Sequence, residues 1–203
     1  VTHLVTVTCT GFSAPGVDLH LVDSLGLPRE VQRVQVGFMG CHGAINGLRA
    51  ARAIAIAEPD ACVLLCAVEL CSLHFQYGWE PQRIVSNALF ADGAGAMVIR
   101  GSQTAYDSDR VPSLSIRATG SCLFPDSADA MTWRIGDSGF EMTLSPRVPD
   151  LIAGNLRQWF EPWLARQGLT IGDVTGWAVH PGGPRVLTAV GQALQLPESA
   201  LAA

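Results

Sequence analysis

The sequence predicts a layered α/β fold built around a buried, mostly parallel sheet. Apolar, β-branched segments of strand length alternate with helical segments, and short links rich in turn-forming residues join them. One segment, residues 61–70, is apolar except for Glu69 near its end, as expected for a strand covered on both faces. Strand, helix and strand in alternation favour a sheet with helices packed on it.

The first hundred residues supply most of this alternation. The strand-like segments are 3–9, 31–36, 61–70 and 88–99, the last beginning with a turn of small residues, and the helical segments are 18–25 and 41–57. The second helical segment is rich in alanine and glycine, so it exposes few bulky side chains. We expect it to be buried between layers, where small residues allow close backbone approach.

The remaining residues predict a second half of similar construction. Residues 101–112 are polar and without periodicity, which marks them as a linker between the halves 1–100 and 113–203. The elements expected after the linker are a strand over 114–119, a loop containing Trp133, a helix over 148–166, a strand over 177–179 and a helix over 184–194.

Composition bounds the class of protein. The chain has 203 residues, 48% of them apolar, and a net charge of −5 without any basic cluster. This composition predicts a globular protein and argues against nucleic acid as a partner. No apolar run reaches the roughly 20 residues of a membrane span, and the first residues do not form a signal peptide. We therefore expect a soluble cytoplasmic protein with no membrane partner.

Cys41 and His180 are the strongest candidates for chemistry. Cys41 opens a helix, where unpaired backbone N–H groups and the helix dipole favour thiolate over thiol. His180 follows an apolar run and precedes Pro-Gly-Gly-Pro, a position at which side chains face a crevice. An imidazole close to the thiol would complete an activated nucleophile. The alternatives are a small buried hydrophobe for Cys41 and a core histidine for His180.

Three cysteines and a glycine-rich loop are candidates for metal and nucleotide binding, but their spacing does not match the known motifs. The cysteines at 62, 66 and 71 lie in or beside an apolar strand and not across a turn, so we expect no metal site. The loop around Asp92 lacks both the GxGxxG order and the Walker lysine, so it gives little support for nucleotide binding. The six cysteines lie mostly in apolar segments, which favours reduced thiols over disulfides.

Four pieces of sequence together resemble one family. They are Cys9-Thr10-Gly11 with Ala14-Pro15-Gly16, the run from Gln32 to Cys41, the run from Ala88 to Gly93, and the run from Trp177 to Pro184. The combination resembles the type III polyketide synthases, the chalcone and stilbene synthase family of the thiolase superfamily. The resemblance implies a thiolase-like layered αβαβα fold, of which this chain is expected to be a part, incomplete at both ends. HPGGP distinguishes this family from the related β-ketoacyl carrier-protein synthases.

The resemblance also implies roles for individual residues. Cys41 is expected to be the nucleophile, loaded with an acyl starter from a CoA thioester, and His180 the partner that holds the thiolate and stabilises the enolate of malonyl-CoA. Phe90 is expected to be the gatekeeper between the CoA tunnel and the cavity. The residues expected to line the cavity are Cys9, Cys71, His74, Trp133, Phe140 and Met142. The substrates are CoA thioesters, and no bound cofactor is expected.

Features of the cavity favour a bacterial-type enzyme. Trp133 stands where plant chalcone synthases carry glycine, and Cys9 replaces a threonine of the plant enzymes. We expect a pyrone, resorcinol or naphthalene-type product. By the same resemblance, the protein is expected to be a homodimer in which a loop near Ala14 reaches the partner's cavity.

Two alternatives to a complete type III polyketide synthase stay open. The family's third catalytic residue, an asparagine in a Gly-Asn-Met-Ser-Ser-like motif, does not occur within these residues, and neither does the basic segment that binds CoA. The chain could therefore be an incomplete piece with a structural or interaction role. The other alternative is a condensing enzyme similar to β-ketoacyl synthase III.

Overall fold

A computed structural model describes residues 1–104, 113–137 and 139–201. These described residues divide into two compact units. The first contains residues 1–75, 90–104 and 113–117, and the second contains residues 76–89, 118–137 and 139–201. Most of the linker expected at 101–112 lies outside the described residues, so the division of the chain at that point stays a prediction.

The first unit is built on a four-stranded sheet. Its strands are β1 (His3–Thr8), β2 (Gln32–Gly37), β3 (Cys62–Glu69) and β4 (Gly93–Arg100), and its helices are α1 (Val17–Ser24) and α2 (Gly43–Ala57). The strand order is β2-β1-β3-β4. The first three strands are parallel, and β4 pairs antiparallel with β3. The strand and helix segments predicted for this half are confirmed to within a few residues.

Helices cover the two faces of the two central strands. On one face, Val5 and Val7 of β1 and Val63 and Leu65 of β3 form a buried cluster with Ala51 of α2. On the other face, a second cluster joins Leu4 of β1, Val22 of α1 and Val31. Each fully buried side chain of this kind stabilises the fold by about 1.5–3 kcal/mol. The prediction that β3 is covered on both faces is confirmed.

Two glycines let α2 lie close to the sheet. A Cβ atom added at Gly47 would lie 2.8 Å from Val7 Cγ2 and 2.7 Å from Leu65 Cδ1, and one added at Gly43 would lie 2.8 Å from Val7 Cγ1. On the opposite side of α2, Ile56 is 62% exposed. The expected burial of α2 between two layers is therefore seen for one layer among the described residues.

The second unit combines a helix, a hairpin and a helix pair. Its elements are α3 (Pro81–Leu89), β5 (Met131–Gly136), β6 (Gly139–Leu144), α4 (Val148–Ala165) and α5 (Pro184–Leu194). The hairpin is antiparallel, and α4 carries Trp159, Phe160 and Trp163 in ring contact with one another. The helices predicted over 148–166 and 184–194 are confirmed.

Several predictions for the second half are wrong. The loop expected around Trp133 is strand β5, and α3 was not predicted. Neither 114–119 nor 177–179 forms a strand. A strand needs a neighbour for its backbone hydrogen bonds, and no described strand pairs with either segment. The carbonyls of Ile116 and Arg117 instead accept hydrogen bonds from the Arg52 guanidinium, each at 2.9 Å.

The helices are too short or too polar for a membrane. Within the described ranges, no helix has both the length and the apolar character that a membrane span requires. The cytoplasmic location stays a prediction of the sequence.

The close approach of α2 to the sheet can be tested with two glycine substitutions, one of which is a control. Replacing Gly47 by alanine should destabilise the fold by about 1 kcal/mol, since overpacking a tight contact outweighs the gain in helix propensity. Gly154 lies in α4 with no atom within 4 Å of an added Cβ. Gly154→Ala should therefore stabilise the fold by about 0.5–1 kcal/mol. Urea denaturation of both variants measures the difference, and equal effects of the two substitutions would contradict this account of the helix contact.

Candidate active site

One edge of the first unit gathers most of the residues singled out by the sequence. Because β1, β2 and β3 are parallel, their carboxyl ends meet at one edge, and antiparallel β4 begins there. The predicted site residues that follow these strands or precede β4 are Cys9, Cys41, Cys71, His74 and Phe90. The fold thus brings the predicted nucleophile to the same edge as half of the predicted cavity residues.

Cys41 lies in the turn that joins β2 to α2. It is the central residue of a 3₁₀ turn, Gly40–His42, and α2 begins at Gly43. The backbone before it is in the left-handed region at Phe38 (φ 56°) and Gly40 (φ 64°). Residue 41 is exposed. This exposure favours the interpretation of Cys41 as a reactive residue over that of a small buried hydrophobe, and the choice between the two stays a prediction.

Within the described residues, the pKa of Cys41 shifts in the direction opposite to the one that a helix start favours. The pKa of its thiol is raised, mainly because surrounding atoms desolvate it, and the Glu69 carboxylate raises the pKa further. The backbone N–H of Cys41 acts in the opposite direction and does not outweigh these effects. A place at the start of a helix therefore does not by itself make Cys41 a thiolate.

Two other thiols share this environment. Desolvation is the largest cause that raises the pKa of both Cys9 and Cys71, and the charge of Glu69 is the second. The Cys41 thiol and Asp92 also raise the pKa of Cys71. Three thiols at this edge therefore lie in the field of one carboxylate.

Glu69 holds the loop after β1. Its carboxylate accepts hydrogen bonds from the backbone N–H of Cys9 (2.8 Å), the N–H of Thr10 (3.0 Å) and the Thr10 hydroxyl (2.7 Å). The Thr10 hydroxyl oxygen in turn accepts a hydrogen bond from the N–H of Leu70 at 2.8 Å. Neither Glu69 nor Thr10 is among the predicted site residues. The signal was a lone carboxylate at the end of an uninterrupted apolar strand.

The turn that carries Cys71 and His74 is fixed by Asp92. This carboxylate accepts hydrogen bonds from the N–H and the hydroxyl of Ser72, at 2.8 and 2.7 Å, and those bonds lower the pKa of Asp92. His74 Nε2 lies 2.8 Å from the carbonyl oxygen of Thr10. Asp92, considered above only for nucleotide binding, therefore orders the turn after β3.

The other predicted cavity residues lie together on the hairpin of the second unit. Trp133 of β5 pairs with Met142 of β6, and Ile135 pairs with Phe140, which places all four side chains on one face. Phe140 is 4% exposed and its ring centroid lies 5.5 Å from that of Trp133. Met142 lines a cavity of about 380 Å³ between the hairpin and α3. Whether these residues line a substrate cavity stays a prediction.

His180 also belongs to the second unit. It is exposed and lies four residues before α5, and its carbonyl accepts a hydrogen bond from the N–H of Gly182 at 2.9 Å. This exposure favours the interpretation of His180 as a functional residue over that of a core histidine, and the choice between the two stays a prediction. Cys41 lies in the first unit, and the pairing of thiol and imidazole stays a prediction.

The sequence predicted that the cysteines neither bind a metal nor form disulfides. Among the described residues, no group of three or more histidine, cysteine, aspartate or glutamate side chains is arranged to hold a metal ion. No disulfide joins any of the six cysteines, all of which lie within the described ranges.

Comparison with protein families matches both halves of the chain. The model for the N-terminal domain of chalcone and stilbene synthases matches residues 1–103, and the model for the C-terminal domain of the same enzymes matches residues 115–203. Among curated proteins, a 1,3,6,8-tetrahydroxynaphthalene synthase of Streptomyces peucetius subsp. caesius is 39% identical over 98% of this chain and 52% of its own length. The alpha-pyrone synthesis polyketide synthase-like Pks18 of Mycobacterium tuberculosis is 35% identical over 91% of this chain and 47% of its own length.

Solved structures give the same result. PKS-I from the brown alga Ectocarpus siliculosus aligns with a TM-score of 0.91 and 35% identity, covering 98% of this chain and 52% of that one. The tetrahydroxynaphthalene synthase of Streptomyces coelicolor A3(2), described as a bacterial type III polyketide synthase, aligns with a TM-score of 0.88 and 26% identity, covering 98% of this chain and 56% of that one. The expected thiolase-like fold is confirmed. The chain spans about half the length of the relatives it matches.

The shared field of Glu69 predicts a pH effect at Cys41. Replacing Glu69 by glutamine removes a negative charge and should lower the pKa of the Cys41 thiol, so its alkylation by iodoacetamide should begin at lower pH. Desolvation remains, so the shift should be partial. Mass spectrometry can follow tryptic peptide 34–49, which contains Cys41 as its single cysteine. Glu30→Gln, which removes an exposed charge elsewhere, is the control, and an identical pH profile in both variants would contradict the prediction.

Proposed function

Because the chain belongs to the chalcone and stilbene synthase family, we propose that its protein is a type III polyketide synthase. In this proposal it loads an acyl starter from a CoA thioester and extends it with malonyl-CoA. The observation that carries the proposal is the match to both domain models of this one family, with Cys41 exposed at the carboxyl edge of the sheet. The same match favours this function over that of a β-ketoacyl synthase.

Loading begins at the Cys41 sulfur. In the proposed step, the sulfur attacks the carbonyl carbon of an acyl-CoA, the bond from that carbon to the CoA sulfur breaks, and the acyl group remains as a thioester on Cys41. The pKa of the Cys41 thiol is raised within its own unit, so the reaction needs a group that takes the proton. We assign that role to the imidazole of His180, whose protonated form would then hold the thiolate as an ion pair.

Extension requires a carbon nucleophile. Loss of carbon dioxide from malonyl-CoA leaves an enolate, and donors near its oxygen, His180 among them, lower the free energy of that state. The enolate carbon attacks the Cys41 thioester, a carbon–carbon bond forms, and the bond from the acyl carbon to the Cys41 sulfur breaks. The lengthened chain leaves on CoA, and Cys41 is ready for another cycle.

The product class follows from the proposed cavity. We assign Phe90 to the entrance and the six cavity residues named above to the walls. Trp133 fills volume on the hairpin face that it shares with Phe140 and Met142. The names of two relatives, a tetrahydroxynaphthalene synthase and an alpha-pyrone synthesis enzyme, support a naphthalene- or pyrone-type product. A resorcinol belongs to the same proposal, because the starter, the number of extensions and the mode of cyclisation are left open.

We further propose that the protein is a homodimer, as the resemblance implies. An exposed aromatic pair supports this assignment: Phe12 is 70% exposed, Phe38 is 55% exposed, and their ring centroids lie 6.2 Å apart. Exposed aromatic side chains beside a site are typical of an interface. The pair flanks the loop that contains Ala14.

The catalytic proposal is tested with the full-length protein, radiolabelled malonyl-CoA and a panel of acyl-CoA starters. Wild type should form labelled polyketide, Cys41→Ala should form none, and His180→Gln should lose at least about 100-fold in kcat. Cys122→Ala, which removes an exposed thiol outside the proposed site, is the control and should keep its activity. Absence of labelled product with every starter, while Cys41 of the wild type still reacts with iodoacetamide, would refute the proposal.

The dimer is tested by sedimentation of the full-length protein. Phe12→Glu should shift the protein from dimer toward monomer, because it places a charge in an apolar contact. Trp79→Glu changes an exposed aromatic residue outside the pair and should leave the dimer intact. A monomeric wild type at micromolar concentration would overturn the proposal.

A further inference from the structure

We propose that Cys9 is a positioning residue whose sulfur holds the backbone of residues 38–40, the turn that places the Cys41 thiol. The resemblance assigns Cys9 only to the cavity wall. The contacts of Cys9 lie within the first unit and do not depend on the proposed function. Only the expected effect of Cys9 on the catalytic rate rests on that function.

The contacts join the thiol of Cys9 to Gly40. The backbone N–H of Gly40 donates a hydrogen bond to Cys9 Sγ at 3.1 Å, and the thiol lies 3.8 Å from the Gly40 carbonyl oxygen as a donor. The N–H groups of Met39 and Phe38 also act on the sulfur, lowering the pKa of Cys9 against the larger effects of desolvation and Glu69. One sulfur therefore faces three successive peptide groups, the last of which precedes Cys41.

This turn needs an external partner because its backbone is strained. Phe38 has a φ of 56°, a region that side chains other than glycine, asparagine and aspartate rarely adopt. Such a residue persists only where its surroundings hold it in place. Gly40 adopts a φ of 64° and has no Cβ to oppose it. The bond from Gly40 to Cys9 lies within the same strained stretch.

Cys9 is itself fixed to the sheet. Its backbone N–H donates to both Glu69 oxygens, at 2.8 and 3.1 Å, and the N–H of Gly11 donates to the Thr8 hydroxyl oxygen at 3.0 Å. The sulfur is thus carried by a loop that the carboxyl ends of β1 and β3 both hold. Cys9 therefore links Glu69 to Gly40: its backbone N–H bonds to the Glu69 carboxylate, and its sulfur bonds to the N–H of the residue before Cys41.

The first arm of the test measures amide hydrogen exchange at Gly40 in the full-length protein, by mass spectrometry with residue-level fragmentation. Exchange should be faster in Cys9→Ala and Cys9→Val, which lack an acceptor, than in wild type, and Cys9→Ser should restore part of the protection. Cys71→Ala, which removes another thiol at the same edge, should leave Gly40 unchanged. Val5 and Val7 in β1 report whether each variant is folded. If Cys9→Ala does not fold, Cys9→Val, which keeps more volume, decides the question.

Unchanged exchange at Gly40 in a folded Cys9→Ala or Cys9→Val would overturn the inference. The second arm measures condensation. A positioning role predicts a lower kcat with little change in the KM for malonyl-CoA, and partial recovery in Cys9→Ser. An altered KM or product with a normal kcat would mean that Cys9 acts only as cavity wall and would overturn the catalytic part. If wild type shows no condensation while Gly40 responds as expected, the proposed function fails and the structural inference stands.

Discussion

The carboxylate of Glu69 is the interaction on which the candidate site depends. Parallel strands bring their carboxyl ends to one edge of a sheet, but the loops that leave them are held only where a polar group fixes them. Glu69 ends β3 and binds the backbone of Cys9 and Thr10 after β1. Through Thr10, the same network reaches Leu70 and His74. The loop that carries Cys9 is therefore held by a carboxylate at the half-buried end of β3.

This arrangement has an electrostatic cost. A carboxylate that organises three nearby thiols also opposes their ionisation, and desolvation acts in the same direction. The helix that begins after Cys41 does not reverse this balance. A positive partner would oppose both effects at Cys41, and this is the role that the proposed function gives to His180. The negative charge of Glu69 thus stabilises the loop after β1 but disfavours the thiolate form of Cys41.

The sequence predicted those parts of the fold that depend on local pattern. Apolar, β-branched runs marked β1 and β3, and apolar residues at helical spacing marked α4. Met131, Trp133 and Ile135 alternate with polar residues, a pattern typical of a strand, and the loop predicted around Trp133 is wrong. The segments 114–119 and 177–179 have strand composition, yet they lack a described neighbour to pair with. In the site, the position of Cys41 was predictable from its turn, whereas the action of Glu69 depends on strands distant in sequence.

The glycine face of α2 limits how this molecule can be altered. Gly43 and Gly47 set the height of the helix above Val7 and Leu65, and Cys41 lies two residues before the helix begins. A larger residue at either glycine would push α2 away from the sheet and shift the Cys41 sulfur. A change in packing would then lower the reactivity of Cys41. The hairpin face of Trp133 belongs to the other unit. Under the proposed function, attempts to redesign the range of products should therefore vary the hairpin and leave the glycines of α2 untouched.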